Sequence, residues 1–303
     1  MTRLWTALAV CLVALVAHQV MFSNVSAPPA DFGSGSMFDL IARRYDLINR
    51  VLAVGMDIGW RKRMVNVLAE SVAEQSEAPR LLDVATGTAD VALLLAELIP
   101  AATVVGVDPS ANMLAVGREK IQDRGLTDRV RLELQDARQG FDDSNALATA
   151  TFDGATMAFG IRNIAGNAQK EQAFCQIHRA LRDQALFCIL EFSEPDDSFG
   201  VMGAGARFFI RHVIPFLGGI LSGKPREYWH LQHSIQDFPA PPDFVKLIES
   251  TVCETGIFRV EDLVQLNFGS VQLYVSRTIR KFDGGEAATG TGDANVQAEP
   301  VVA

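Results

Sequence analysis

The chain has 303 residues, 49% of them hydrophobic, and a formal net charge of −9. That length and apolar content allow one large domain or two small ones around a sizeable core. The acidic balance argues against nucleic acid held on a basic surface. Four cysteines, Cys11, Cys175, Cys188 and Cys253, show no metal-ligand spacing. They predict neither a disulfide framework nor a metal site, and they fit a reducing compartment.

Residues 1–30 read as a targeting segment outside the fold. Arg3 precedes an apolar run over 4–22, broken only by Thr6, His18 and Gln19, and small residues and prolines follow. One basic residue ahead of an apolar stretch is the pattern of a secretory-type signal or a retained anchor. The run is near the minimum for a membrane span. It lacks the several arginines of a mitochondrial presequence, and a two-step plastid signal is an alternative. The expectation is a membrane-associated protein of an organelle, either the mitochondrial inner membrane or a plastid, with the choice open.

A folded domain is expected over 31–282. Phe38, Ile41, Tyr45, Ile48 and Leu52 recur at helical spacing, and a second helical pattern spans 60–73. The organising stretch comes next, Leu81-Leu82-Asp83-Val84-Ala85-Thr86-Gly87-Thr88-Ala89-Asp90, followed by a helical pattern over 91–98 and the run Val104-Val105-Gly106-Val107-Asp108. It reads as strand, tight loop, helix, strand, the opening of a doubly wound α/β domain. Ligands in such sheets bind at the carboxyl ends of the strands. The loop has Gly87 but not the three glycines of a dinucleotide fingerprint, and Asp83 and Asp90 frame it. Two carboxylates there suit a positively charged ligand such as S-adenosylmethionine, with Asp108 placed to accept from both ribose hydroxyls.

Ser110 predicts an N-cap for a helix reaching residue 120. Further strands are expected over 130–134, ending at Gln135-Asp136-Ala137, over 152–159, and over 185–191 after a helix over 169–181. The apolar segment 199–223 reads as a cover for the site, with a lipid-facing lid as the sharper alternative. Pro215 and Gly218-Gly219 are expected to break it into two helices. A helix over 244–253 and two strands within 258–279 complete the sheet, and 283–303 reads as a disordered tail. No histidine is assigned a role in the chemistry.

Four blocks then resemble a known family. Met37-Phe38-Asp39 through Arg44-Tyr45-Asp46-Leu47-Ile48-Asn49, with Gly55 and Trp60-Arg61-Lys62-Arg63, is similar to the opening signature of the quinone-biosynthesis C-methyltransferases of the UbiE/MenG type. Ala158-Phe159-Gly160-Ile161-Arg162-Asn163 resembles their second, Leu190-Glu191-Phe192-Ser193-Glu194-Pro195 their third, and Tyr228-Trp229-His230-Leu231-Gln232-His233-Ser234-Ile235 with Phe238-Pro239 their fourth. The resemblance implies a class I methyltransferase fold, Rossmann-like, with a seven-stranded, mostly parallel sheet flanked by helices. It implies S-adenosylmethionine as cofactor, with Thr88, Asp108, Asp136, Ala137 and Ala158 contacting it beside Asp83 and Gly87. Asp136 would receive the adenine amino group and Ala137 would donate a backbone N–H.

The implied reaction is methylation of a ring carbon of a polyprenyl quinol, and the signatures resemble the ubiquinone branch, hence a benzoquinol. A demethylated menaquinol or phylloquinol is the alternative within the fold. A non-catalytic assembly factor, and more remotely a dehydrogenase, are the alternatives outside it. A quinol carbon becomes nucleophilic when a ring hydroxyl loses its proton, so the site needs a base or a cation for the phenolate. Arg162 is expected there, with Asn163 orienting a water and Tyr45 bonding a ring oxygen; the bland alternatives are a structural ion pair for Arg162 and a core aromatic for Tyr45. Membrane surface, a second copy of the chain and other quinone-biosynthesis enzymes are the expected partners. Two departures stand out: Ala89 replaces a glycine of the family, and Arg182-Asp183-Gln184 replaces a Pro-Gly-Gly turn.

Overall fold

The two apolar runs around Leu82 and Val105 lie side by side in register, Leu81 opposite Val104 and Val84 opposite Val107, as parallel neighbours. The computed structural model describes residues 36–39, 42–139, 149–195, 197–222 and 234–281. The segments read above as a leader (1–30) and a tail (283–303), and most of the fourth signature (Tyr228 to His233), lie outside them.

The helices and strands, in chain order, are α1 (Ser36–Asp39), α2 (Ala42–Leu52), α3 (Met56–Ala73), β1 (Arg80–Val84), α4 (Asp90–Leu98), β2 (Thr103–Asp108), α5 (Ala111–Asp123), β3 (Val130–Leu134), β4 (Phe152–Ala158), α6 (Gly166–Ala180), β5 (Leu181–Phe192), α7 (Gly200–Phe208), α8 (Ile214–Ser222), α9 (Pro241–Ser250), β6 (Val252–Cys253), β7 (Gly256–Leu266) and β8 (Val271–Arg280). The strands form one sheet in the order β3-β2-β1-β4-β5-β8-β7-β6. β1 through β5 run parallel, and β8, β7 and β6 add antiparallel strands at one edge. Seven strands match the expectation; the eighth, β6, is a two-residue edge pairing too short to leave a periodic signal.

Burial on both faces explains the near-continuous apolar strands. One face packs Leu81, Val104 and Leu190 against Met64, Leu68, Leu93 and Leu114 of α3, α4 and α5. The other packs Leu82, Val105, Phe187 and Ile189 against Phe174, Ile177, Phe244 and Ile248 of α6 and α9. Each such side chain stabilises the fold by roughly 1.5–3 kcal/mol. The strand order reverses between β1 and β4, which places a crevice at the carboxyl ends of those two strands. A third apolar cluster joins Ile48 and Leu52 of α2 to Ile210 and Ile214, so α2 is held against the segment around α7 and α8.

Four expectations need correction. Within the segment 199–223, α7 and α8 are not separated by a break at Pro215 or Gly218-Gly219: a π turn at Phe209–Val213, just ahead of Pro215, joins them into one helical stretch over Asp197–Leu221. The wider turn lets the chain pass a residue that cannot donate to the carbonyl one turn back. The helix expected to reach residue 253 stops at Ser250, because Thr251 is extended (φ −73°, ψ 108°). Arg182-Asp183-Gln184 is an exposed turn as expected, but β5 begins ahead of it at Leu181: the pairing with β4 steps from Phe152–Leu181 to Gly154–Leu186, and Gln184 takes φ 62°.

The fourth concerns cysteine. Cys175 of α6 and Cys253 of β6 form a disulfide across 78 residues of sequence, with Cα atoms 5.1 Å apart. Spacing hid it, because only the tertiary docking of β6 beside α6 brings the two together. It removes cysteine usage as an argument for a reducing compartment. Cys188 stays a buried thiol in β5, its pKa pushed up to about 12 by burial.

Closing so long a loop constrains the unfolded chain, so Cys253→Ser is expected to lower stability by about 2–4 kcal/mol in denaturant unfolding under oxidising conditions. Equal midpoints for variant and wild type would contradict the pairing.

Candidate active site

The loop after β1 is built from left-handed turns. Ala85 (φ 54°), Gly87 (φ 55°) and Ala89 (φ 65°) alternate with Thr86 and Thr88 and turn the chain sharply into α4. Ala89 therefore does adopt the positive φ at which a glycine would be relaxed, and its methyl is fully buried. A Cβ built on Gly87 would meet nothing within 4 Å, so the space above the loop is open.

Asp108, at the end of β2, is 8% exposed. It accepts from the backbone N–H of Gly87 (2.9 Å) and of Ser110 (2.8 Å), which fixes the carboxylate at the loop's edge. Ser110 caps α5 as expected, accepting from the Met113 amide. Asp83 is buried below the loop and accepts from the Thr86 hydroxyl (2.6 Å) and the Thr156 hydroxyl (2.7 Å). Burial raises the pKa of both aspartates to about 6, against those hydrogen bonds.

Asp136 is clamped by Arg138, whose Nε lies 2.9 and 3.0 Å from its two oxygens; that hydrogen bonding outweighs burial and keeps the carboxyl below its ordinary range. Asp90 is likewise held low, burial being outweighed by Lys120, Arg61 and Arg50. Thr88 donates to Asp46 of α2 at 2.6 Å, and Lys120 reaches Asp46 at 3.0 Å, Thr88 at 3.2 Å, and Asp90. α2 is thereby pinned over the loop.

Three cavities meet here. A space of about 80 Å³ is lined by Val84, Gly87, Asp108, Asp136, Ala137 and Ala158. One of about 40 Å³ lies over the loop itself, against Asp83, Thr86, Thr88 and Asp90. The third, about 400 Å³ and mostly apolar, is walled by Leu52, Trp60, Phe159, Phe192, Met202, Phe209 and Ile210. Tyr45 lines all three, and Asn163 and Phe159 stand between the first and the third. All ten residues singled out from sequence thus converge on this crevice.

Arg162 follows β4 in a short 3₁₀ turn and lines the large cavity. Its Nη1 pairs with Glu191 at 2.5 Å and donates to the Phe159 carbonyl at 3.0 Å. The side chains are 4% and 0% exposed, so the ion pair is fully desolvated. Glu191 also accepts from the Arg162 and Phe192 amides. The guanidinium lies 5.4 Å from the Phe192 ring. The structural ion pair and the cavity-facing cation are therefore one arrangement. Tyr45 has a phenol pushed above 10 by burial, with Arg162 and Arg61 pulling it back.

Sequence reasoning passed over Glu191, Asp46, Lys120 and Arg61. Glu191 and Asp46 sit inside quoted signatures without an assigned role. Arg61 had a usable signal, the i, i+4 spacing from Asp57 on a helical pattern. His178, left unassigned, is structural: its ring bridges Thr255 (2.6 Å) and the Ile257 carbonyl (3.0 Å).

Removing one partner of a buried pair strands the other charge, so Glu191→Gln is expected to cost about 3 kcal/mol in denaturant unfolding. A loss under about 1 kcal/mol would show that Arg162 finds solvent instead.

Comparison with known proteins agrees with this geometry. The family model described as the ubiE/COQ5 methyltransferase family matches residues 31–273. The chain is similar to a demethylmenaquinone methyltransferase from Thermus thermophilus, 41% identical over 68% of this chain and 86% of that one. It is similar to a ubiquinone/menaquinone biosynthesis C-methyltransferase UbiE from Syntrophotalea carbinolica, 39% identical over 71% and 83%. Among solved structures, the [4+2]-cyclase SpnF superposes with a TM-score of 0.52 at 15% identity over 84% of this chain and 98% of that one, a likeness of fold alone. S-adenosylmethionine is the cofactor of this family, and the open space over Gly87 beside a fixed, buried Asp108 suits its adenosyl group. The chain belongs to the ubiE/COQ5 family and is an S-adenosylmethionine-dependent C-methyltransferase of quinone biosynthesis.

Proposed function

We propose that the acceptor is a ring-demethylated polyprenyl quinol and that its ring is a naphthoquinol. The observation that carries the acceptor class is the apolar cavity of about 400 Å³ that meets the cofactor space at Tyr45. A prenylated ring is mostly apolar with two ring oxygens, which is the composition of that wall. The naphthoquinol ring is favoured by the relative of 41% identity, named for demethylmenaquinone. The benzoquinol of the ubiquinone route is the second reading, favoured by the signatures and by relatives named for both quinones.

The cofactor supplies an electrophilic methyl group. The chain's residues do the rest. Asp108 would receive the ribose hydroxyls, Ala137 and Ala158 would line the adenine pocket, and the loop from Asp83 to Thr88 would hold the methionine end. In-line transfer depends on alignment, so walls that hold donor and ring against one junction supply much of the rate. Arg162, fixed by Glu191, stabilises the ring phenolate, while Tyr45 and Asn163 bond a ring oxygen or the water that takes the ring proton. Carbon attack would break the S–CH3 bond and turn the phenolate oxygen into a ring carbonyl; arginine keeps its own proton, so the ring proton would then leave to water, and its C–H electron pair would restore the aromatic ring and the oxygen's charge.

Val54, Val201 and Met202 are exposed apolar side chains that line the large cavity, and Phe208, Ile220 and Leu221 are exposed on the same helical stretch as Val201 and Met202. The helical stretch Asp197–Leu221 is long and apolar enough to cross a membrane by length and composition. Because it packs on α2 and walls the cavity, we place it along a membrane surface, admitting the prenyl tail sideways. With the leader, this supports an organelle membrane as the site of action.

Two outcomes test the reading. Labelled S-adenosylmethionine with short-tail demethyl-naphthoquinol and demethyl-benzoquinol is expected to label the naphthoquinol, with the label lost on Arg162→Ala; label only in the benzoquinol would choose the second reading, and label in neither would sink the quinol assignment. The ribose requires an ionised Asp108, whose folded pKa lies at about 6. Affinity for S-adenosylhomocysteine is therefore expected to be full above that value and to fall as pH drops through it, approaching tenfold per unit. Asp108→Asn should bind weakly with a flatter profile; an unchanged profile in that variant would remove Asp108 from the site.

A further inference from the structure

We propose that Arg61 holds the α-carboxylate of the cofactor's methionine moiety. This rests on the reading above that the cofactor lies over the β1–α4 loop with its ribose on Asp108. The methionine end then enters the cavity of about 40 Å³, whose lining contains Asp46, Asp83 and Asp90. Those acids suit the ammonium group. They repel the carboxylate of the same zwitterion, which therefore needs a cation. Among the described residues lining that space, the one cation is Arg61.

Its placement is that of a prepared binding group. Asp57, one turn earlier on α3, pairs with its Nη1, and Asp90 lies 3.6 Å from the same nitrogen. The other nitrogens of the guanidinium take no ion pair among the described residues. The ring of Phe159 lies 5.6 Å from its centre. The side chain is 12% exposed and anchored at Nη1 by Asp57, which restrains it before any ligand arrives. A rigid fork with unmatched donors is the geometry that grips a carboxylate in two-point fashion. Arg61 also lines the large cavity, so it stands at the boundary of donor and acceptor.

Calorimetry on the full chain with S-adenosylhomocysteine and with its decarboxylated analogue separates this role from simple bridging of α3 to α4. Wild type is expected to prefer the carboxylated ligand. Arg61→Gln should weaken that ligand roughly tenfold to a hundredfold and the decarboxylated one by no more than about twofold. Arg61→Lys, which keeps charge and loses the fork, should fall between. Equal weakening of both ligands, or of neither, overturns the assignment. Circular dichroism and thermal melts accompany each variant; where Arg61→Gln does not fold, Arg61→Lys decides by the same selectivity. Wild type binding neither ligand would overturn both this inference and the cofactor placement it rests on, whereas binding without selective loss overturns this inference alone.

Discussion

Asp46 accepting from Thr88 while sharing Lys120 with Asp90 is the contact on which the site depends. It joins α2, outside the sheet, to the loop after β1 and to α5. With the apolar cluster of Ile48 and Leu52, it holds Tyr45 where the three cavities meet. Asp39 adds a second tie, accepting from the Ser110 hydroxyl and from the Asn112 amide at 3.0 Å. The N-terminal helices thus close over the crevice by polar contacts to the loops that line it. Thr88 and Ser110 thus tie the N-terminal helices to the loops at the carboxyl ends of β1 and β2.

A second constraint is charge. The site holds many buried ionisable groups, and several are matched in pairs. Arg162 faces Glu191, Asp83 is satisfied by two threonine hydroxyls, and Asp136 lies in the grip of Arg138. Lys170, buried in the first turn of α6, donates to the Ile164 carbonyl just past the turn that carries Arg162 and Asn163. Burial lowers its pKa and the nearby Glu191 opposes that shift. Fixed charges of this kind need little reorganisation when charge develops on a ring oxygen, which is where electrostatic catalysis gains most. The apolar wall excludes water from the same junction.

Much of this was legible because it is local. Apolar runs with small-residue ends gave the parallel strands, Ser110 gave the helix start, and the residues at strand ends converged on one crevice because the topology puts all those ends on one edge. What sequence hid was tertiary. The Cys175–Cys253 bond needs an edge strand two residues long. The π turn before Pro215 is a way round a proline that residue preference alone reads as a break. Gln184 at positive φ lets β5 begin early where no glycine signals a bend. Glu191, inside an apolar strand, looked like part of a signature and proved to be the counter-ion of Arg162. Ala89 sits in between: sequence raised the question of positive φ, and the structure answers that the loop takes it.

The central claim is that donor and acceptor spaces join at Tyr45, where a bound cofactor would present its methyl group to the apolar cavity. A crystal structure of the protein with S-adenosylhomocysteine tests it most directly. The account predicts adenine beside Ala137, ribose on Asp108, and the sulfur at the junction of Tyr45 and Phe159, close enough for a ring carbon in the large cavity to reach an attack distance of about 3–3.5 Å from the transferred carbon. A sulfur turned away from that cavity, or a cofactor bound elsewhere, would contradict it.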